Sequence, residues 1–184
     1  VEERHRKLRF EELQRQSKTQ EMLKNAPRLP LYVILENIRS LFNVGSIFRT
    51  ADGIRAAKLI LTGYTGKPPR KEIDKAALGA VETVPWNYYR TSREAISELK
   101  KKDIAIVALE QTINSFDFNE YTYTFPVAIV LGNEYIGIEQ ETLNLCDVCV
   151  SIPMCGAKLS LNVSTSFGIL GYEILSQYLK NDHF

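Results

Sequence analysis

Three short segments hold the side chains whose types and spacing can do chemistry. In Asn43-Val44-Gly45-Ser46-Ile47-Phe48-Arg49-Thr50-Ala51, a guanidinium follows an amide by six residues on what reads as one early helix, whose first turn Asn can cap. An isolated Arg in a helix is ordinarily a surface or salt-bridged residue, so this segment decides nothing alone. In Ile129-Val130-Leu131-Gly132-Asn133-Glu134-Tyr135-Ile136-Gly137-Ile138, a strand ends in a glycine, polar residues follow and a helix begins. Gly132 would let a ligand approach the backbone closely. In Ile152-Pro153-Met154-Cys155-Gly156-Ala157-Lys158-Leu159-Ser160-Leu161-Asn162-Val163-Ser164, a buried strand runs into an irregular loop and then a helix with Ser and Asn in its first turn.

Several chemistries are excluded by what is missing. The only histidines are His5 and His183, near the two ends, so Ser-His-Asp and Cys-His hydrolases are poor fits. Cys146 and Cys149 make a C-x-x-C with Cys155 nearby, a weak zinc or redox signal that lacks a fourth ligand. Reduced thiols, partly buried in a cytosolic protein, are the expected state. The stretch after Leu31-Tyr32-Val33-Ile34-Leu35-Glu36 lacks the G-x-G-x-x-G of dinucleotide sites and the glycine-rich first turn of common Rossmann-type methyltransferases. Gly63-Tyr64-Thr65-Gly66-Lys67-Pro68 has the wrong spacing for a P-loop, and reads as a turn with a basic tip.

The elements that must position these segments alternate along the chain. Strand-length apolar runs occur at 31–36, 58–63, 103–110, 126–132 and 147–153, with a shorter one in Glu82-Thr83-Val84-Pro85-Trp86. Helical stretches are expected near 43–55, 71–78, 91–101, 138–145 and 160–179. Continuous apolar runs suit strands covered on both faces, so the fold class is α/β, a mainly parallel sheet flanked by helices. Ligands of such sheets bind beyond the carboxyl ends of the strands. The tails Glu36-Asn37, Leu109-Glu110, Leu131-Gly132-Asn133-Glu134 and Ile152-Pro153-Met154 therefore matter most.

The chain has 184 residues and a formal net charge of +1, and it divides unevenly. Residues 1–102 hold 21 basic and 12 acidic side chains, whereas residues 103–184 hold 2 basic and 10 acidic. Such asymmetry favours a basic surface that meets an anion, nucleic acid first. No apolar run is long enough to span a membrane, and the charged start is no signal peptide. The first residue, Val1, leaves room for an initiator Met or a longer leader ahead of it. Residues 2–24 read as a charge-rich helix ended by Pro27 and Pro30, either solvated or an RNA-contacting arm. The expected organisation is a basic helical extension over 1–28 and one domain over 29–184.

Taken together and in order, the three segments resemble the SpoU (TrmH) family of the SPOUT methyltransferases, over Leu31 to Leu179. The resemblance implies a C-terminal trefoil knot and a cytoplasmic homodimer with active sites at the subunit interface. It implies S-adenosylmethionine as cofactor, with Leu109, Gly132, Ile152, Met154, Ser160 and Leu161 around the adenosine. The family's catalytic Arg matches Arg49, with Asn43, Glu134, Asn162 and Ser164 beside it. The implied reaction is methyl transfer to a ribose 2′-hydroxyl of tRNA or rRNA, which requires no metal. Two roles are open to Arg49: the base, as such enzymes often use this Arg, or the group that orients the hydroxyl and a neighbouring phosphate and stabilises the developing alkoxide; the second is preferred because a guanidinium rarely gives up its proton.

Two positions depart from the family pattern. Thr165-Ser166-Phe167-Gly168 is bulkier than usual after Ser164, and Asn133 replaces a small residue before Glu134. Both are expected to alter pocket shape. RNA recognition is expected to rest on the basic first half, including Arg70, Lys71, Arg90, Arg93 and Lys100 to Lys102. Two alternatives stand beside this reading: an RNA-binding SPOUT-fold module without catalysis, and a base-methylating SPOUT enzyme.

Overall fold

The structure is a computed structural model, and it describes residues 5–16, 20–23 and 26–181. Seven parallel strands form one sheet in the order β3-β2-β1-β6-β4-β7-β5. They are β1 (Leu29–Glu36), β2 (Ala56–Thr62), β3 (Trp86–Tyr89), β4 (Ala105–Leu109), β5 (Phe116–Asp117), β6 (Val127–Leu131) and β7 (Val148–Ser151). The helices are α1 (Phe10–Gln16), α2 (Gln20–Leu23), α3 (Leu41–Gly53), α4 (Lys71–Ala77), α5 (Ala80–Thr83), α6 (Ser92–Lys100), α7 (Gln140–Leu143) and α8 (Val163–Lys180).

The apolar runs are continuous because successive side chains feed two cores. Leu29, Leu31, Val33 and Leu35 of β1 join Leu59, Leu61, Val127, Ile129 and Leu131 under α3, α4 and α8. Ile34 packs on the opposite face with Ile60, Ile106, Ala128 and Val130, under Ala95, Ile96 and Leu99 of α6. A strand buried on both sides has no polar face to show in its pattern.

Helix α3 explains what its sequence segment positions. Its buried residues Val44, Ile47, Phe48 and Ala51 fall at helical spacing, and Phe48 meets Trp86 edge-on at 6.5 Å. Arg49 is left on the exposed side. The helix is capped by Ser40, whose side chain accepts from the Asn43 N–H at 3.3 Å, so Asn43 sits inside the first turn and is not the cap. Asn162 is a cap: its Oδ1 accepts from the N–H groups of Ser164 and Thr165, and α8 starts after it. Ser160 and Leu161, expected in that helix, lie in the loop before it.

Other boundaries also moved. The stretch expected to be helical over 138–145 holds only the four residues of α7, and the two-residue β5 was not foreseen. Pro30 lies within β1, where pairing with β2 is irregular between Leu29 and Tyr32. The expected helix over 2–24 contains two short helices, and its residues 2–4, 17–19 and 24, like His183, lie outside the described residues. Phe167 is fully buried in the core, so its bulk fills the interior and not the ligand space. No helix among the described residues is long and apolar enough to cross a membrane.

Candidate active site

The strand register brings the expected tails to one level. Leu35 pairs with Leu131, Ala108 with Val130, and Leu109 with Val150, so β1, β6, β4 and β7 end side by side. Above them opens a cavity of about 810 Å³. Its walls include all six expected cofactor residues, Leu109, Gly132, Ile152, Met154, Ser160 and Leu161, together with Asn43, Glu134 and Asn162. Arg49 and Ser164 are not among the lining residues.

Four of the five expected catalytic residues form one hydrogen-bonded chain across the three sequence segments. The Glu134 carboxylate accepts from the backbone N–H of Arg39 and of Ser40, and from Asn43 Nδ2, each at 2.9 Å. Asn43 Oδ1 accepts from Asn162 Nδ2 at 3.0 Å, and Asn162 Oδ1 accepts from the Ser164 hydroxyl at 2.6 Å. Partial burial alone pushes the Glu134 carboxyl up, but the donors from Arg39, Ser40 and Asn43 outweigh it and hold the group below its ordinary value. The bonds also fix each amide: Asn43 must donate toward Glu134 and accept from Asn162.

Arg49 stands apart. Six residues along α3 from Asn43, it is displaced by about 9 Å along the axis and about 120° around it. It is exposed and is not among the residues that line its own chain's cavity.

Two carboxylates that sequence reasoning did not assign hold backbone at the strand tails, and of the two only Glu110 lines the cavity. Glu110 Oε2 accepts from the Ile138 N–H at 3.0 Å and its Oε1 from the Gln111 N–H at 2.9 Å. Buried Glu36 accepts from the Glu139 N–H at 2.9 Å and from the Thr142 hydroxyl at 2.5 Å. Both stand at strand tails, and that position was their only signal. Asn133, read as a departure, is a loop builder: its Oδ1 accepts from the N–H groups of Tyr135 and Ile136, while its Nδ2 donates to the Asn37 carbonyl and to Tyr64 Oη.

Gly132 is needed for a reason different from the one expected. A Cβ there would lie 2.3 Å from the Gly137 carbonyl carbon and the Ile138 nitrogen, so the close approach is made by the chain's own 133–138 turn. Cys146 and Cys149 are half-buried and Cys155 is exposed; all three are free thiols. The Cys146 thiol donates to the Thr142 carbonyl, and burial pushes its pKa up to about 12.

Comparison with known proteins identifies the family. A sequence model of the SpoU rRNA Methylase family matches residues 30–172. The chain belongs to the SpoU family. It is 36% identical over 149 residues to the tRNA (guanosine(18)-2'-O)-methyltransferase of Escherichia coli K12, an alignment covering 80% of this chain and 63% of that protein. It is 34% identical over 164 residues to a 23S rRNA (guanosine-2'-O-)-methyltransferase of Neisseria meningitidis, covering 89% of this chain and 65% of that one. The chain thus spans less than two thirds of the length of these SpoU relatives. Among solved structures, the SpoU methyltransferase AviRb of Streptomyces viridochromogenes in complex with AdoMet superposes with a TM-score of 0.77, at 26% identity, covering 84% of this chain and 60% of that one.

Proposed function

We propose that this SpoU-family chain is an S-adenosylmethionine-dependent methyltransferase acting on a ribose 2′-hydroxyl of tRNA or rRNA. The observation that carries the reading is the chain from Glu134 through Asn43 and Asn162 to Ser164, which ties three distant segments together at the rim of one cavity. The relatives from Escherichia coli and Neisseria meningitidis, named for 2′-O-methylation of tRNA and of rRNA, support the same substrate class.

The cavity fits the cofactor. Its volume of about 810 Å³ lies in the range of sites for nucleoside-sized ligands, and Leu109, Ile152, Met154 and Leu161 give the apolar walls a flat base requires. Gly132 and Ser160 bring backbone and hydroxyl groups to the same walls. When bound, S-adenosylmethionine supplies a methyl group on an electrophilic sulfonium, so no metal is needed.

The protein's part is placement and proton management. Asn43 and Asn162, locked by Glu134 and Ser164, set the rim at which the ribose must sit. Arg49 orients the 2′-hydroxyl and an adjacent phosphate and stabilises the alkoxide that develops as the proton leaves. Because Arg49 is exposed and outside its own cavity lining, it serves the cavity of a second copy in a homodimer. The knotted C-terminal threading belongs to the same reading. In its support, α8 returns from the β7 side to bury Phe167, Leu170 and Ile174 in the core shared with α3. We place the protein in the cytoplasm and treat residues 1–28 as a basic helical extension of the domain over 29–184.

The test is to incubate total RNA with the protein and S-adenosylmethionine and map the products. The expected result is alkali-resistant linkages at one or a few sites. Products methylated only on bases would overturn the ribose assignment.

A further inference from the structure

From the mouth of the cavity outward, three exposed tyrosines stand at the carboxyl ends of strands of the sheet. Tyr135 follows β6 and is 79% exposed, Tyr64 follows β2 and is 60% exposed, and Tyr88 on β3 is 39% exposed. Hydrogen bonds connect them: Asn133, whose side chain shapes the Tyr135 turn, donates to Tyr64 Oη at 2.9 Å, and Tyr88 Oη donates to the Gly63 carbonyl beside Tyr64 at 2.9 Å. Each end of the row carries a cation on a ring. Arg39 Cζ lies 4.9 Å from the Tyr135 centroid, and Lys67 Nζ lies 3.9 Å from that of Tyr88. From β6 through β1 and β2 to β3 the sheet advances three strand spacings, about 14 Å. Arg39 and Tyr135 also line the cavity, so the row begins at its mouth.

Exposed tyrosines, two of them held by their hydroxyls and two with a cation against the ring, match the chemistry of unpaired nucleotides. Bases stack on the rings, and the cations meet the phosphates between them. A duplex, whose bases are already stacked, offers no faces to such a row. We propose that Tyr135, Tyr64 and Tyr88 form a stacking track for a single-stranded RNA segment that runs from the cavity mouth toward β3. The inference rests on the methyltransferase reading and deepens it: the substrate presents its target ribose in an unpaired stretch.

The test uses the whole protein, a labelled single-stranded RNA 12-mer, the same strand annealed to its complement, and fluorescence anisotropy. Tyr88→Leu is expected to weaken single-strand binding about five-fold or more while leaving duplex binding within two-fold. Tyr88→Phe loses the bond to Gly63 and keeps the ring, so it is expected to bind like the unmodified protein. Tyr135→Leu, on an exposed turn, is expected to repeat the Tyr88→Leu result and covers the case in which that variant fails to fold. Equal losses in Tyr88→Leu and Tyr88→Phe, equal losses on both RNAs, or no loss in either Leu variant would overturn the track. Calorimetry with S-adenosylmethionine separates the two levels. A protein that binds it and methylates RNA, yet is indifferent to both Leu variants, loses only the track; one that binds neither it nor RNA loses the methyltransferase reading as well.

Discussion

Replacing Glu134 by Gln removes one charge and one acceptor from a point where three donors converge. Oε1 accepts from both the Ser40 N–H and Asn43 Nδ2, while Oε2 accepts from the Arg39 N–H. A glutamine can keep its oxygen toward Ser40 and Asn43, but its amide then faces the Arg39 N–H donor to donor. A hydrogen bond to a charged group contributes about 1.5–3 kcal/mol, so losing one and weakening the others costs about 2 kcal/mol. With a urea slope of about 2 kcal/mol per molar, the unfolding midpoint falls by about 1 M. The dependence on pH identifies the cause. The folded-state pKa of Glu134 lies below the ordinary 4.5, so its stabilisation is complete above that value and is lost as pH falls through the depressed one. The gap between the unmodified protein and Glu134→Gln should therefore be full at neutral pH and close in acid. Urea titrations at pH 7 and at successively lower pH measure it. A gap below about 0.5 kcal/mol at neutral pH, or one that persists unchanged in acid, would refute the account of Glu134 as an ionised clamp.

The other residues of the site separate by role. Arg49→Ala should abolish methylation and leave S-adenosylmethionine affinity within a few-fold, since its proposed contacts are with the 2′-hydroxyl and phosphate of the RNA and not with the cofactor; calorimetry showing both lost together would give it a binding or structural role. Asn162→Asp keeps the cap on α8 through an oxygen facing Ser164 and Thr165 but sets a carboxylate against Asn43 Oδ1. Thermal unfolding should change little while turnover falls about ten-fold or more, and equal losses in both would undo the distinction between cap and link. Gly132→Ala puts a Cβ into the Gly137–Ile138 backbone and should cost about 2 kcal/mol, a fall in Tm of about 4–8 °C, with cofactor affinity falling too.

The layers of the fold were legible because a doubly covered sheet writes itself as unbroken apolar runs separated by amphipathic helices. Strands β1, β2, β4, β6 and β7 left such a trace, and so did the level at which their tails emerge; the run expected over 82–86 begins in α5 and reaches β3 only at Trp86, and two-residue β5 left none. The cavity walls were legible for the same reason, since Leu109, Gly132, Ile152 and Met154 are tail residues or their neighbours. The hydrogen-bonded chain was not. Asn43 and Asn162 stand 119 residues apart and Asn43 and Glu134 stand 91 apart, and no local pattern states that such amides face one another. Cap chemistry was misplaced for a related reason: Ser40 and Asn43 are both good cap residues, and only the three-dimensional entry angle of the chain selects Ser40.

The split of charge along the chain does not survive as a split in space. Lys100 pairs with Asp147 at 2.7 Å and Arg93 with Glu141 at 3.3 Å, so two cations of the basic half already face carboxylates of the acidic half. Arg28 and Arg55 are also engaged: Arg28 donates to the Ala56 and Thr83 carbonyls, and Arg55 to those of Leu23, Ala26 and Pro27, near the amino ends of β1 and β2. Meanwhile Glu110 and Glu134 in the acidic half hold backbone N–H groups at the cavity, where their charge is answered by fixed dipoles. Surface pairs of this kind contribute little to stability, but they lower the local positive potential at Arg93 and Lys100. Arg39 and Lys67, each lying on a tyrosine ring, and exposed Arg90 after β3 are cations that stand at the carboxyl ends of the strands. Sequence charge counts the cations, and packing decides which of them remain to meet an anion.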